Sequence, residues 1–376
     1  MYEALFDSVL RRIPPQRAHA AALGAIDAVT SRPRPRRWLR RATHRQSGVI
    51  AIEALGVRFP SPLGIAAGLD KDAEHYEALG ALGFGFVEVG TLTPMAQASN
   101  PPPVLARLPA DRALLNRMGF PNKGAEAAAR RLARRPRQTL VGANVGKNRE
   151  TPLKRAADDY VKAATALAPL ADYLVLNVSS PNTPGLRELE SVARLEPLVR
   201  ATMQAAGTTP LLVKISPDLA DTAIDALADM AVDLGLAGIV ATNTTLDRDG
   251  LATPAERVAR EAWAEGGGVS GRPLKHRSLA VLTRLHARVG GRLVLVSVGG
   301  VESADDVWER VLAGASLVQS YTGFVYGGPA WPRSVNRELE RRTHAAGAQT
   351  LQELVGAKAT PRAGEQRADA DHLQAG

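Results

Sequence analysis

Polar and glycine residues follow eight short apolar runs along this chain, and their chemistry is the first feature to examine. The residues just past each run are, in order, Gly68 and Lys71, Thr91, Asn144, Asn177 with Ser179 and Ser180, Lys214, Thr242 with Asn243 and Thr244, Gly299 and Gly300, and Tyr321 with Thr322. A single Asn or Thr in such a position is usually a turn or helix-cap residue. The same kind of ending on eight successive runs indicates a shared binding or catalytic site.

The elements that must position these residues are eight repeats of a strand followed by a helix. The strands end near Ala66, Val89, Asn144, Asn177, Lys214, Thr242, Val298 and Ser320, and helical spacing follows most of them, at 154–168, 190–206, 219–235, 274–288 and 303–313. Strands that are apolar throughout are typical of a parallel sheet covered on both faces. Eight units favour an α/β fold of the (β/α)8 TIM barrel type over an open doubly wound sheet, and no G-x-G-x-x-G follows the first strand. In such a barrel the residues past the strands share one functional face.

Two lysines adjoin the apolar strands. Lys214 directly ends one strand, and Lys71 lies shortly after another. Because an unpaired cation is costly in apolar surroundings, Lys214 needs an anionic partner. That partner is either a bound anionic ligand or a barrel carboxylate such as Glu88.

Glycines cluster after the last three strands, at Gly271, Gly299 and Gly300, next to the turn at Tyr321 and Thr322. Bare backbone N–H groups in this part of a barrel form its usual phosphate site, near the N-terminus of a short helix. An isolated pair of glycines carries little information. Their place in the strand order predicts that the ligand contains a phosphate group.

The chain has no cysteine and concentrates its positive charge at one end. The absence of cysteine excludes disulfide bonds, thiolate zinc sites, iron–sulfur clusters bound by this chain and any cysteine nucleophile or base. Of the net charge of +9, residues 1–45 hold +7, from ten arginines against Glu3, Asp7 and Asp27. No apolar stretch approaches the roughly 18 residues that span a bilayer, and the N-terminus lacks the apolar core of a signal peptide.

Both ends of the chain differ from the repeats. Residues 2–13 place five apolar side chains on one helical face, two prolines end this helix, and an alanine-rich second helix extends to about Val29. The sequence predicts a helical hairpin and an arginine-rich connector over 1–45, followed by a barrel over 46–341. The segment IEALGVRF is expected to form a small hairpin on the barrel floor. Residues 342–376 are small and polar, and we expect them to be disordered.

The motif SSPNTPG at 179–185 makes the sequence recognisable. Eight further motifs accompany it, namely AAGLDKD (66–72), NRMGF (116–120), GANVGKN (142–148), VKISPD (213–218), ATNTTLDR (241–248), SGRPL (270–274), VGG (298–300) and YTGF (321–324). Together they closely resemble the class 2 dihydroorotate dehydrogenases, in order, from the N-terminal helices to about residue 340. The stretch PPQRAH (14–19) is similar to the membrane-docking extension of that family.

The resemblance implies oxidation of dihydroorotate to orotate in pyrimidine synthesis, with FMN as cofactor and a membrane quinone, ubiquinone or menaquinone, as final electron acceptor. The implied FMN contacts are Ala67, Gly68, Leu69, Asp70, Lys71, Thr91, Asn144, Asn177, Lys214, Thr242, Gly271, Gly300, Tyr321 and Thr322. The implied pyrimidine contacts are Lys71, Asn116, Arg117, Met118, Gly119, Phe120, Asn177, Asn182, Asn243 and Thr244. The family places its catalytic base at the position of Ser180.

The residues suit this chemistry independently of the resemblance. Orotate carries a carboxylate, two ring carbonyls and two N–H groups, and asparagine amides can both donate and accept along such an edge. Its formation requires loss of a proton beside a carbonyl and of a hydride from the neighbouring carbon. A serine is a weak base, so Ser180 must pass its proton on, through Thr183 or a water shielded by Phe120. The related soluble class uses cysteine, which this chain lacks.

Two alternative functions were weighed. A tRNA dihydrouridine synthase would explain the basic charge, but it needs a cysteine acid and lacks SSPNTPG. The arginine-rich start could be a nucleic-acid or scaffold-binding arm, yet it offers only Trp38 for stacking. We therefore expect a peripheral protein on the cytoplasmic side of the cell membrane that contacts anionic lipid. No nucleic acid, metal ion or iron–sulfur partner subunit is expected.

Overall fold

The computed structural model describes residues 13–43, 48–134, 136–254, 258 and 266–358. Its strands are β1 (Ile52–Ala54), β2 (Val57–Phe59), β3 (Leu63–Ile65), β4 (Phe86–Leu92), β5 (Leu105–Leu108), β6 (Ala113–Asn116), β7 (Leu140–Val145), β8 (Tyr173–Asn177), β9 (Leu211–Ile215), β10 (Gly238–Ala241), β11 (Gly268–Gly271), β12 (Val294–Val298) and β13 (Leu317–Ser320). Its helices are α1 (Pro15–Thr30), α2 (Pro33–Thr43), α3 (Tyr76–Ala81), α4 (Ala125–Leu132), α5 (Ala156–Leu167), α6 (Val192–Ala206), α7 (Asp221–Asp233), α8 (Lys275–Val289), α9 (Ala304–Leu312), α10 (Thr322–Gly327) and α11 (Trp331–Ala345).

Eight parallel strands form the predicted closed barrel. They follow one another in the order β3, β4, β7, β8, β9, β10, β12 and β13, and β13 pairs with β3 to close the ring. Their residues are almost all buried, because helices cover the outside and side chains fill the inside. The eight strands predicted from the sequence are these strands, so the TIM barrel prediction is confirmed.

Two small antiparallel sheets lie outside the barrel. The predicted hairpin is formed by β1 and β2, which pair Ile52 with Phe59, and both of these side chains are fully buried. The second sheet has the order β11, β6, β5 and was not predicted. It joins two segments far apart in sequence, and such a pairing leaves no local signal. It carries Asn116 and Gly271, so it contributes directly to the site.

The N-terminal segment packs on the barrel as two helices. Pro14 and Pro15 begin α1 as expected, since proline suits the first turn of a helix. The arginine-rich segment was predicted to be a connector, and this is wrong, because it forms α2. Arg40 on α2 donates to Thr139 Oγ1 at 3.0 Å, and Asp27 on α1 lies 2.5 Å from His75 Nδ1. The expected helix over residues 2–13 lies almost entirely outside the described residues.

The C-terminal segment stays ordered beyond the predicted boundary. Disorder was expected from residue 342, but α11 continues to Ala345 and a 3-10 helix spans Leu351–Leu354. Leu351 is fully buried, and its N–H donates to Val49 O at 2.7 Å. A capping box formed by Thr350 and Glu353 starts this turn and was the overlooked sequence signal. The prediction is therefore wrong for 342–358, while 359–376 lie outside the described residues.

Throughout the described ranges, none of the helices has both the length and the apolar character needed to cross a membrane.

Candidate active site

A deep cavity of about 1060 Å³, including its open mouth, lies at the C-terminal ends of the barrel strands. Leu105, Leu114 and Ser270 of the antiparallel sheet close one side of it. The predicted residues that line it are Ala67, Gly68, Lys71, Thr91, Asn116, Met118, Gly119, Phe120, Asn177, Ser180, Asn182, Lys214, Thr242, Asn243, Thr244, Gly271, Gly300, Tyr321 and Thr322. Residues from seven of the eight strand ends and from the outer sheet thus meet at one site, a concave pocket of the kind that binds small molecules.

Four predicted residues do not line the cavity. The Asp70 carboxylate instead accepts the N–H groups of Glu74 at 2.9 Å and His75 at 2.8 Å, and burial raises its pKa. Leu69 packs into the core, and the N–H of Arg117 donates to Val104 O. Asn144, the fourth, is fully buried behind the cavity wall. Asp70 and Leu69 thereby hold the Gly68–Lys71 loop in place.

The asparagines form a connected row of hydrogen bonds. Asn177 Nδ2 donates to Thr91 Oγ1 at 2.8 Å and to Asn144 Oδ1 at 3.0 Å. Asn243 Nδ2 donates to Asn177 Oδ1 at 3.2 Å. In a separate contact, Asn182 Nδ2 donates to Asn116 Oδ1 at 3.0 Å. These bonds fix the amides in place before a ligand arrives.

Two lysines bring positive charge to the cavity. Lys214 is 5% exposed and Lys71 is half-buried, and burial lowers the pKa of both. Neither ammonium group has a hydrogen bond, or an ion pair within 4.0 Å, to any other described residue. The charge of Glu88 attracts Lys214 and acts to raise its pKa, but the ion pair considered from the sequence is not formed. The observed donors therefore suit an anionic or electron-rich ligand.

Two glycines, Gly271 and Gly300, also line the cavity. Gly271 has φ +97° and Gly300 has φ +70°, conformations that disfavour other residues. A Cβ at Gly300 would lie 2.4 Å from Lys275 Cα, and one at Gly271 would lie 2.4 Å from Arg112 O. Glycine is therefore required for close packing at both positions, and both glycines line the cavity together with Thr322 at the start of α10. This arrangement fits the phosphate site expected after the last strands of a barrel.

Ser180 lies on the loop after β8, with its side chain 5% exposed at the cavity. Its Oγ accepts the N–H of Asn182 at 3.3 Å. The hydroxyl of neighbouring Thr183 is buried and has no hydrogen-bond partner among the residues described. Phe120 lines the same cavity. The serine therefore lies in a shielded position at the cavity.

Gln319, which lies inside the barrel, is one of the cavity-lining residues that sequence reasoning missed. It lines the cavity, donates to Glu88 at 2.6 Å and leaves its buried Oε1 without a partner in the described structure. The available signal was a polar residue inside the apolar strand LVQS. Glu88, which lies within the apolar strand β4, gave the same signal, and we considered it only as a partner for Lys214.

The fold and the cavity define a class, the (β/α)8 barrel enzymes that bind an organic cofactor and a substrate at the strand ends. Comparison with known proteins narrows this class. The sequence profile for dihydroorotate dehydrogenase matches residues 49–343. The chain therefore belongs to the dihydroorotate dehydrogenase family.

Individual relatives agree with this assignment. Proteins named dihydroorotate dehydrogenase (quinone) from Rhodococcus erythropolis and Mycolicibacterium vanbaalenii are 53% and 54% identical to this chain. The alignments cover 95% and 96% of this chain and 99% and 100% of the relatives. The crystal structure of DHODH from Eimeria tenella in complex with ferulenol matches with a TM-score of 0.84 at 32% identity, over 95% of this chain and 98% of that chain. The resemblance to class 2 enzymes is confirmed.

Proposed function

We propose that this chain oxidises dihydroorotate to orotate in pyrimidine synthesis, with FMN as hydride acceptor and a quinone as final electron acceptor. The observation that carries the proposal is the single cavity in which two unpaired lysines, four asparagines and the Ser180 hydroxyl converge. Such a cavity binds an anionic, planar molecule rich in amide-like groups. The quinone-dependent relatives support the choice of electron acceptor.

The residues of the cavity fit FMN. When bound there, FMN would supply the two-electron acceptor that the amino acids themselves lack. Lys214 would stabilise negative charge on an electron-rich ring, because a buried cation gains most from an anionic neighbour. The exposed main chain at Gly271, Gly300 and Thr322 would hold the phosphate.

The remaining polar residues fit the pyrimidine. Asn116, Asn177, Asn182 and Asn243 surround the cavity and match the alternating N–H and carbonyl groups of the ring. Lys71 would pair with the substrate carboxylate, because it lines the cavity and makes no ion pair within 4.0 Å in the described structure.

Ser180 would take the proton that is lost from the carbon beside a ring carbonyl. A hydroxyl is a weak base, so it must transfer this proton as it receives it. The buried hydroxyl of Thr183, three residues further along the chain, has no partner among the described residues and would accept it, and Phe120 would keep bulk water away from both. Thr183 or a water molecule would then carry the proton away from Ser180.

The N-terminal extension would bring the protein to the membrane and a quinone to the cavity. Arg107 of β5 donates to Ile13 O at 2.9 Å, so the start of the extension meets the sheet that borders the cavity. His19 on α1 hydrogen-bonds to the backbone of Leu69, and burial with the nearby charge of Lys71 lowers its pKa to about 4. Trp38 and Val29 are exposed near several arginines, a combination that suits the surface of an anionic bilayer. We place the protein peripherally on the cytoplasmic face.

The test is the formation of orotate, followed by ultraviolet absorbance, with a quinone as the only oxidant. The proposal predicts turnover that depends on both dihydroorotate and the quinone. A flavin-loaded protein that forms no orotate under these conditions would refute it.

A further inference from the structure

Glu88 is a buried carboxylate in the centre of the barrel that takes no part in the reaction described above. Its side chain is fully buried on β4. It accepts hydrogen bonds from Asn144 Nδ2 at 2.7 Å and from Gln319 Nε2 at 2.6 Å, and the Tyr173 hydroxyl lies 3.5 Å away. A carboxylate offers only acceptors, so each of these neighbours must turn a donor toward it.

The orientation of the Asn144 amide follows from this requirement. Because its nitrogen faces Glu88, its oxygen faces the cavity side and accepts from Thr91 Oγ1 at 2.6 Å and from Asn177 Nδ2 at 3.0 Å. The amide nitrogen of Asn177 therefore faces Asn144, and its amide oxygen faces away from Asn144. Asn243 Nδ2 donates to that oxygen at 3.2 Å.

The far end of the row is fixed by a donor. The N–H of Thr244 donates to Asn243 Oδ1 at 2.8 Å, and a backbone N–H cannot accept a hydrogen bond in return. The nitrogen of Asn243 must therefore face Asn177 and Ser179 Oγ, which it reaches at 3.0 Å. All donors between Thr244 and Glu88 consequently point toward the carboxylate.

We propose that Glu88 is a positioning residue that sets the hydrogen-bond polarity of the asparagines at the cavity and thereby the ligand edge they recognise. Both N–H hydrogens of Asn177, and both of Asn243, are used inside the row. Each of these two amides has oxygen lone pairs left for a ligand. Two amide oxygens suit the ring N–H groups of a dihydropyrimidine or its product, so the inference rests on the proposed function.

The energetic cost of Glu88 also points to a role in positioning. A buried carboxylate loses its hydration, and apolar residues of similar volume are often no less stable in such a place. Here the cost is offset by two short hydrogen bonds and by the charge of Lys214 within the same barrel. In return, the carboxylate ends the row with a group that can only accept hydrogen bonds.

The first variant is Glu88→Gln, which keeps the size of the side chain but adds a donor. The Asn144 amide can then turn over, and the direction of the row is fixed only from its Thr244 end. Titration calorimetry of the FMN-loaded variant with orotate should show binding at least about tenfold weaker than wild type, the effect of one misdirected hydrogen bond in a buried site. Tyr173→Phe is the matched control, because it removes a contact to the same carboxylate without changing the row, and its orotate affinity should equal that of wild type.

The decisive variant combines Glu88→Gln with Asn144→Asp. It moves the carboxylate one position along the row at constant net charge, so Thr91 and Asn177 again donate to an acceptor-only group. Orotate affinity should recover most of its loss, and FMN binding should return too if the single variant has lost it. The inference is wrong if Glu88→Gln binds orotate as wild type does, or if the double variant is no better than the single one. A wild-type protein that fails to bind orotate would instead refute the proposed function.

Discussion

The hydroxyl of Ser180 is the group proposed to take the substrate proton, and in the described structure no histidine or carboxylate hydrogen-bonds to it. Ser180→Ala should therefore retain FMN, because the residues proposed to hold the flavin lie elsewhere in the cavity. It should slow reduction of the flavin by about 10²- to 10⁴-fold, the usual effect of losing a positioned base. Stopped-flow measurement of flavin bleaching by dihydroorotate gives this rate.

Ser180→Cys is the matched variant, since a thiol of similar size can also transfer a proton. We expect it to reduce the flavin faster than the alanine variant does. Bleaching of Ser180→Ala at the wild-type rate would show that another group is the base.

Lys214 is proposed to stabilise negative charge that develops on the flavin. Lys214→Ala should lose FMN or lower its two-electron reduction potential by about 30 mV or more, equivalent to about 1.4 kcal/mol. A potentiometric titration measures this shift. Lys147→Ala is the control, because Lys147 is also buried but donates to Asn148 O at 3.0 Å and Thr151 O at 2.9 Å and does not line the cavity. Equal potentials in wild type and the Lys214 variant, both fully loaded, would contradict the proposed role.

The cavity-lining polar residues were largely readable from the sequence, because each follows an apolar strand and parallel strands end on one face. The role of Glu88 was not readable. The sequence of a mostly apolar strand does not indicate whether a polar residue within it points into the barrel. The contacts of Asn144 with Glu88 and of Asn243 with Asn177 depend on strand register around the ring, which only the closed structure defines.

The 3-10 helix Leu186–Glu190 connects the Ser180 loop to α6 and contains a titrating carboxylate. Glu190 is 5% exposed and accepts the N–H of Ser216 at 2.7 Å, and burial raises its pKa from 4.5 to about 7. The folded protein thus binds this proton more tightly than the unfolded chain does. The contribution of Glu190 to the free energy of unfolding is largest below pH 4.5. It falls by about 3 kcal/mol as the pH rises through 7.

Glu190→Gln keeps an acceptor for Ser216 and removes this titration. Between pH 5 and pH 8, the free energy of unfolding measured in urea should fall by about 2 to 3 kcal/mol more for wild type than for the variant. If the free energies of unfolding of the two proteins change with pH in the same way, Glu190 does not titrate in this range.

The helix α2 presents exposed arginines beside Trp38, while Arg40 is used to dock the helix. Replacing Arg34, Arg37 and Arg41 by Gln should weaken binding to anionic vesicles by up to about a hundredfold, at about 1 kcal/mol for each arginine. Turnover with a long-chain quinone should fall, while reduction of the flavin by dihydroorotate should not change. Cosedimentation and steady-state kinetics measure the two effects.

The control replaces Arg155, Arg194 and Arg200 by Gln, which removes the same charge from exposed positions on the barrel. Equal vesicle binding by the two triple variants would show that α2 makes no specific contribution.

At the level of elements, local signals predicted the barrel strands, the main helices and the β1–β2 hairpin. The same signals failed for β5, β6 and β11, whose pairing connects distant segments. Composition also misled at both ends. The arginine-rich stretch after α1 indicated a connector where α2 forms, and small polar residues indicated disorder where Leu351 enters the core.

At the scale of the whole molecule, three parts converge on one cavity. The barrel supplies the strand-end residues, the outer sheet supplies Asn116 and Gly271, and the N-terminal helices reach the Gly68–Lys71 loop through His19. In this account, dihydroorotate reduces a flavin from one side of the cavity, and a quinone re-oxidises it from another side.

The most direct test of this account is the visible spectrum of the purified protein under anaerobic conditions. The account predicts a yellow protein whose flavin absorbance is bleached by dihydroorotate and returns when a quinone is added. A protein that carries FMN but keeps its full absorbance in excess dihydroorotate would contradict it.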